Sequence, residues 1–485
     1  MLNLPRRRLR LSLVFALLFT VHASVAQSTG PGAVPLLMVS DIHFDPFHDP
    51  GKVQQLATAP VSGWDAILSP ASSPNQAQEF KQLQQTCKAT GVDTPYELLQ
   101  SSLKAMQEQG AAAKFILLSG DLIAHQFDCR YSTLFPGKKP DEYVAFIEKT
   151  IRYVTGHLHG ALPSATLYFA LGNNDSGCGD YRLDEQNNFL ALTAKILAEG
   201  LPASQQKNVL QTFTAYGDYS VTMPAPMQNT RLLVLDNIFQ SKNYLSCAGS
   251  FNPNAATAQL DWLGDQLAAA RQQKQKVWVM AHIPPGVNMY STLLKRNVCG
   301  GDSPEMFYSA QKLSALLAEY ADVVKLGVFA HTHMDELRLL PAAGGTSSTG
   351  VPIKMVSSIS PVNGNNPSFT VAQVDATTST LRDYRVIASS NPAGTSWSEE
   401  YVYSQSFHEP DFSAVSLQKL IGQFQADPAG STQESQAYMA HFFVGGPAGL
   451  LRPIWTGYTC VLSHYQPADF VSCMCPATAP QGNLH

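Results

Sequence analysis

The stretch LLMVSDIHFD, residues 36–45, decides the fold. Its apolar run, Leu36 to Val39, is too short for a buried helix and has the composition of a buried strand. The run stops on Ser40 and is followed at once by Asp41-Ile42-His43, an acid and an imidazole delivered at a strand end. The same arrangement recurs along the chain. Phe115 to Ser119 leads into Gly120-Asp121, and Leu167 to Leu171 into Gly172-Asn173-Asn174-Asp175. Val277 to Ala281 leads into His282, and Val324 to Ala330 into His331-Thr332-His333. Leu232 to Leu235 reads as a further buried strand.

Between these runs the apolar spacing predicts helices over Tyr96 to Glu108, Glu142 to Leu158, Phe189 to Ala198, Ala256 to Arg271 and Pro304 to Tyr320. Alternation of strand and helix predicts a layered α/β fold. Turn formers mark Gln54 to Gln76 and Gly300 to Pro304 as surface loops, and a Ser/Asn/Pro/Gly cluster marks a break at Ala388 to Ser398. Beyond it, Val415 to Gln425 and Thr432 to Phe443 read as helices of a small C-terminal extension. The division expected is a signal peptide over 1–26, a main domain over 27–388 and a Cys-containing extension over 399–485. Gly344 to Gly350 is a short Gly/Ser/Thr-rich loop whose composition carries no functional meaning.

At 485 residues and 45% hydrophobic content, the chain can bury one large core and an appended smaller one. Its formal net charge is -5, and cations cluster only at the N-terminus, so no nucleic-acid-binding module is expected. There Arg6, Arg7, Arg8 and Arg10 precede the apolar run Leu11 to Val21, and Ser24-Val25-Ala26 offers small residues for cleavage. This is the pattern of a secretory signal peptide cut near Ala26. The run falls short of the ~20 residues that span a bilayer. The mature chain is therefore expected to be secreted or periplasmic, with no stable transmembrane anchor. Its 8 cysteines are then expected to form disulfides, because only Cys473-x-Cys475 is closely spaced and no second pair completes a zinc ribbon.

Five strand ends thus carry Asp, Asn and His, and in α/β sheets ligands bind outside the carboxyl ends of strands. Alternate residues of an extended segment point to one side, so Asp41 and His43 are expected to share an ion, and His331 and His333 a pocket. Two adjacent ions need a bridging ligand; Asp121, on a tight Gly-containing turn, is the natural carboxylate. Asn173 adds a neutral carbonyl oxygen, which limits negative charge where an anionic phosphate must bind. Such mixed ligation suits zinc, manganese or iron better than calcium or magnesium. Each piece alone also occurs as a cap or turn. The ordered set behind five strands is much harder to explain that way.

These motifs resemble those of the calcineurin-like metallophosphoesterase superfamily: Asp-x-His, Gly-Asp, Gly-Asn-x-Asp, a later His, and a Gly followed by His-x-His. The last has one residue more than usual between Gly327 and His331. Within that superfamily the chain looks most like the acid sphingomyelinase-like phosphodiesterases. Ser40 to Asp45, Gly120-Asp121 followed by His125, Ala281 to Gly286 and Ser360 to Phe369 carry that likeness. The resemblance implies a layered β-sandwich core flanked by helices, a pair of zinc ions, a bridging hydroxide and hydrolysis of a phosphodiester or related phosphate bond. Carried over by position, Asp41, His43, Asp121 and His333 would hold the first ion, and Asp121, Asn173, His282 and His331 the second. His125 would help protonate the leaving group. By family analogy His48, Asn363, Asn365 and Tyr384 are candidates for the substrate rim; ordinary loop hydrogen bonding is the alternative for all four and the better reading for Tyr384.

One position departs from the family. Where a catalytic histidine usually follows the ligand Asn, this chain has Asn174, which cannot act as an acid near neutral pH. Endopolyphosphatase-like members share that Gly-Asn-Asn-Asp motif. The expected substrate is a small phosphorylated molecule: a nucleotide, a phospholipid headgroup or, as an alternative, polyphosphate. About ten residues lie between the expected cleavage site and the first strand, so no saposin-like domain is expected there. A catalytically silent metal-containing binding protein is the reading from another class.

Overall fold

Twelve strands form two mixed sheets in the computed structural model, which describes residues 32–344, 349–445 and 451–475. The signal peptide expected over 1–26 lies outside the described residues, as does part of the Gly344 to Gly350 loop. The strands are β1 (Ala33–Val39), β2 (Phe115–Leu118), β3 (Thr166–Phe169), β4 (Tyr219–Thr222), β5 (Thr230–Val234) and β6 (Lys276–Met280). They continue as β7 (Val324–Phe329), β8 (Glu336–Pro341), β9 (Gly350–Met355), β10 (Ser368–Asp375), β11 (Leu381–Ser389) and β12 (Trp397–Val402). The first sheet has the order β12-β11-β10-β1-β2-β3, and the second β4-β5-β6-β7-β9-β8. In each, the strands whose ends carry the Asp, Asn and His motifs run parallel and adjacent: β1, β2 and the edge strand β3 in one, β6 and β7 in the other.

The pleat distributes the apolar residues between two cores. From β6, Trp278 and Met280 enter the core shared with the first sheet, where they meet side chains such as Leu36, Met38, Ile116 and Phe369. Val277, Val279 and Ala281 point the other way, onto Leu263 and Leu267 of the helix Pro253–Gln272 and Leu313 and Leu317 of the helix Lys312–Glu319. The outer face of the first sheet is covered by Leu99, Leu103 and Met106 of the helix Tyr96–Gly110 and Ile147, Ile151 and Val154 of the helix Pro140–Ala161. That second helix starts where Pro140 takes the first turn and Glu142 accepts the Lys139 backbone N–H at 2.9 Å. At one end the sheets are joined through Ser379, whose carbonyl accepts the Trp278 indole N–H at 2.7 Å and whose hydroxyl lies 2.6 Å from that of Thr230. The expected α/β sandwich flanked by helices is the observed architecture.

Several local expectations are corrected. Gln54 to Gln76, read as a surface loop, contains the end of the helix Pro50–Thr58 and the short helix Trp64–Leu68. The turn formers there punctuate short helices, which dock because Trp64 is fully buried against Phe146 and Tyr153. The helix expected over Pro304 to Tyr320 is confined to Lys312–Glu319. Its first half is extended, bridging Val287 to Met306 and Ser241 to Tyr308. The break at Ala388 to Ser398 is a hairpin turn, beyond which β12 adds to the first sheet.

The two C-terminal helices anticipated occur as Ala414–Ala426 and Gln433–His441, and two more follow, Trp455–Val461 and Pro467–Met474. Their Phe424, Tyr438, Trp455 and Phe470 join the main core. All eight cysteines are paired, as Cys87–Cys129, Cys178–Cys247, Cys299–Cys475 and Cys460–Cys473. The closely spaced Cys473 and Cys475 thus belong to different bridges, one of them fastening the tail to the loop after β6.

Beneath the C-terminal helices Lys354, with no exposed surface, pairs with the buried Asp335, which also accepts the Tyr401 hydroxyl at 2.6 Å. Removing one partner of a buried pair strands the other charge. Lys354→Met is therefore expected to lower stability by about 3–5 kcal/mol, read from the denaturant midpoint against the wild type.

Candidate metal centre

The strand ends meet through the backbone before any side chain is considered. After β1 the chain runs along the loop after β2, with Asp41 N–H on the Gly120 carbonyl at 3.0 Å and His43 N–H on the Asp121 carbonyl at 3.0 Å. Ser360 N–H reaches the Asp41 carbonyl at 3.0 Å, and Ala330 N–H the His282 carbonyl at 2.9 Å. Asp175 ties the loops after β2 and β3: one carboxylate oxygen accepts Leu122 and Ile123 N–H, at 2.8 and 3.1 Å, and the other accepts Gly172 N–H at 2.9 Å. Burial and the neighbouring Asp121 push Asp175 up to about 7.

On this frame six of the expected side chains converge: Asp41, His43, Asp121, His282, His331 and His333. His282 Nε2 lies 3.1 Å from Asp121 Oδ2, His43 Nε2 3.5 Å from the same oxygen, and His333 Nε2 3.3 Å from Asp41 Oδ1. His43 and His333 approach to 3.2 Å between their Nε2 atoms, and His331 Nδ1 is 3.3 Å from His282 Nε2. Asp121 is the shared element, since it reaches His43 on one side and His282 on the other. The ligand atoms gather in overlapping groups, one of Asp121, His282 and His331, another of Asp41, His43 and Asp121.

The route to this convergence differs from the one expected. Asp41 and His43 have φ of 46° and 45°, and His331 and His333 of 75° and 67°, so neither pair is an extended segment. Asp121 is also left-handed, at 55°. Left-handed backbone costs a non-glycine residue on the order of 1–3 kcal/mol and persists only where its surroundings over-determine it. The His331-Thr332-His333 loop consequently splits its rings, His331 toward His282 and His333 toward His43.

Several features match divalent ions. His43 Nδ1 faces the Ile123 carbonyl at 3.0 Å and His282 Nδ1 the Ser119 carbonyl at 2.8 Å, contacts that aim each Nε2 inward. Asp41 Oδ1, Asn173 Oδ1 and His333 Nδ1 are among the buried polar atoms with no hydrogen-bond partner. Burial disfavours both carboxylate charges, but the surrounding imidazoles outweigh it, holding Asp41 at about 2 and Asp121 well below the carboxylate range. Burial also opposes protonation of His43 and His282, yet Asp121 and Asp41 raise them to about 10 and about 9. His331 and His333 go the other way, driven by burial to about 4 and about 3. The cluster is built to hold positive charge, and the donor set suits two borderline divalent ions better than protons alone.

The remaining sequence candidates are distributed as follows. His125 stacks on His43 with ring centroids 4.0 Å apart, and its Nδ1 lies 2.9 Å from Asp93 Oδ1. Asn174 donates from its backbone N–H and its amide to the two oxygens of Asp121, each at 2.9 Å. It braces the shared carboxylate. Asn365 is buried and donates to the Ser360 carbonyl at 3.1 Å, while Asn363 is exposed on the same loop. His48 packs on Phe80 and is half-buried. Tyr384 is 1% exposed, locked among Tyr401, Tyr403 and Phe412, and belongs to the core, not to a substrate rim.

Three residues escaped the sequence reading. Asp93, buried, orients His125 and also accepts the Ser360 hydroxyl at 3.2 Å. Tyr181 places its hydroxyl 3.1 Å from His331 Nε2, and Asp180 accepts the Asn173 amide at 2.8 Å. Asp93 sits before Thr94-Pro95 and reads as a helix-entry residue. Asp180 and Tyr181 lie on a loop whose course is set by Cys178–Cys247. No local pattern announces any of them.

Gly172 packs so closely that a Cβ there would lie 2.1 Å from Asp121 Oδ1. Gly172→Ala is expected to displace Asp121 and strip bound divalent ions from the folded protein. Metal analysis beside circular dichroism tests this; a folded variant with wild-type metal content would refute it.

No family model matches the chain. It is 25% identical over 366 residues to a cyclic GMP-AMP phosphodiesterase of Mus musculus, spanning 72% of this chain and 73% of that protein. It is 26% identical over 376 residues to acid sphingomyelinase-like phosphodiesterase 3b of Homo sapiens, spanning 74% and 75% respectively. A sphingomyelinase phosphodiesterase C of Dictyostelium discoideum is 22% identical over 434 residues, 85% of this chain and 86% of that protein. Over most of its length, then, the chain is similar to acid sphingomyelinase-like phosphodiesterases, the branch to which its motifs point.

Proposed function

We propose that this protein is an exported, metal-dependent phosphodiesterase that hydrolyses a small phosphate diester at the centre formed by Asp41, His43, Asp121, Asn173, His282, His331 and His333. The observation that carries the reading is the meeting of Asp41, His43, Asp121, His282, His331 and His333 in overlapping groups of ligand atoms, with the buried Asn173 Oδ1 lacking a hydrogen-bond partner. When bound, two divalent ions would activate water and neutralise the phosphoryl oxygens. Asp41, His43, Asp121 and His333 would hold one, and Asp121, Asn173, His282 and His331 the other, with zinc favoured and manganese or iron as alternatives. Four disulfides and a signal-peptide-like N-terminus support export. Among the described residues no helix is long and apolar enough to cross a membrane.

The residues around the centre divide the remaining work. His125 stands beside His43 with Asp93 on its Nδ1, which leaves Nε2 to carry a proton to the departing oxygen. Asn174 cannot share that task. Its amide is spent on Asp121, so proton delivery falls on the His125–Asp93 pair alone. A general acid contributes about 10²–10⁴-fold, more where the leaving group is poor. His125→Ala is therefore expected to slow hydrolysis of an alkyl phosphodiester by about 10²-fold or more, and of a nitrophenyl phosphodiester much less. Asp93→Asn should follow the same order with a smaller loss. Equal losses on both substrates would remove His125 from the acid role.

A nucleotide or a phospholipid headgroup is the substrate class that the relatives' names support. Asn174 favours a second reading, endopolyphosphatase, because a phosphoanhydride leaves without a strong acid. Protein purified without chelators is expected to carry close to two ions per chain and to act on one of a nitrophenyl phosphodiester, ATP, a cyclic dinucleotide, sphingomyelin or long-chain polyphosphate. Metal without turnover of any of them would leave a silent binding protein. Absence of metal even after reconstitution would sink the proposal.

A further inference from the structure

We infer that the C-terminal helical layer positions the histidine loops through a buried hydrogen-bond chain, which makes Thr332, Glu336, Arg338 and Tyr458 positioning residues. The inference rests on the two-ion reading of the centre given above. Thr332 lies between His331 and His333, and its hydroxyl donates to Glu336 Oε1 at 2.7 Å. The other oxygen, Glu336 Oε2, accepts from Arg338 Nη2 and Nε at 2.8 and 3.2 Å and from the Tyr458 hydroxyl at 2.7 Å. Arg338 Nη1 then donates to the Pro285 carbonyl at 3.3 Å, three residues beyond His282. One carboxylate is thereby connected to both loops that bring His282, His331 and His333 to the centre, and to the helix Trp455–Val461.

Packing alone does not require this arrangement. Glu336 and Arg338 are each 2% exposed and Tyr458 4%, and a buried ion pair is often no more stabilising than apolar side chains of the same volume. What the pair supplies is direction, since its hydrogen-bonding groups point at particular loop atoms. Direction is what the loop needs, because His331 and His333 both occupy left-handed backbone that relaxes unless held. The backbone reinforces the same attachment, with Asp335 N–H on the Phe442 carbonyl at 3.0 Å and Leu339 N–H on the Leu462 carbonyl at 2.8 Å. Groups that orient metal-binding histidines typically change metal affinity by about 10–100-fold when removed.

The test uses the full-length protein with zinc as the probe, measured by competition against a chelator, together with kcat and KM on a nitrophenyl phosphodiester. Tyr458→Phe and Thr332→Val delete one hydroxyl each and nearly preserve shape. Each is expected to weaken zinc binding by about 10-fold or more and to lower kcat with little change in KM, while Thr332→Ser keeps wild-type affinity. Leu420→Ala, a cavity in the same layer away from the chain of hydrogen bonds, should lower the unfolding midpoint and leave zinc affinity intact. Wild-type zinc affinity in both hydroxyl deletions overturns the inference. So does an equal loss in Leu420→Ala, which would make the effect one of general packing. A wild-type protein that takes up no zinc would overturn the two-ion reading and this inference with it.

Discussion

Asp41 and Asp121 lie in the protein interior with at most 2% of their surface exposed, and the rest of the structure accommodates their charge. An isolated carboxylate in such a place would cost so much that it would simply take up a proton. Here four imidazoles surround the two acids, and both stay ionised. Each imidazole arrives on a separate stretch of loop or at a distorted backbone position, so the compensation is assembled from the whole fold. Adjacent parallel strands suit that task because their ends all open on one side.

The price of convergence is local backbone strain, and the structure meets it with rigid surroundings. Asp175 ties two strand ends together, Gly172 lets backbone approach the shared carboxylate, and Asn174 grips that carboxylate from above. The second sheet is fixed on one face by the shared core and on the other by two helices. The side chains of the centre are thus held by contacts within the protein itself. Its acid, His125, is held in the same manner by a buried partner on a different loop.

Much of this was legible because short apolar runs ending in Asp, Asn or His leave little room for another reading. Six of the expected side chains, Asp41, His43, Asp121, His282, His331 and His333, come together, although by left-handed turns and not by strand alternation. Side chains with ordinary neighbours were invisible for a physical reason: Asp93, Asp180 and Tyr181 acquire meaning only from residues far away in sequence. Strands β8 to β12 were missed because they interleave charged and polar residues such as Glu336, Arg338 and Lys354, whose burial depends on pairing that no local pattern encodes. Tyr384 illustrates the converse. By resemblance it was a candidate for the substrate rim, and it is sealed among other aromatic rings.

The first sheet has a consequence for how such a protein comes into being. Strand β1 lies between β2, made soon after it, and β10, with Ala33 paired to Asp375. While the ribosome works from one end to the other, Asp41 has His43 at once but must wait for most of the chain before His282 and His333 exist. A nascent fragment therefore has its two acids with His43 but without His282, His331 and His333, and it has an open sheet edge where β10 will pair. The first sheet is therefore completed only when the polypeptide has been made as far as β10 and beyond, so the metal-centre strands gain their full set of neighbours late in synthesis.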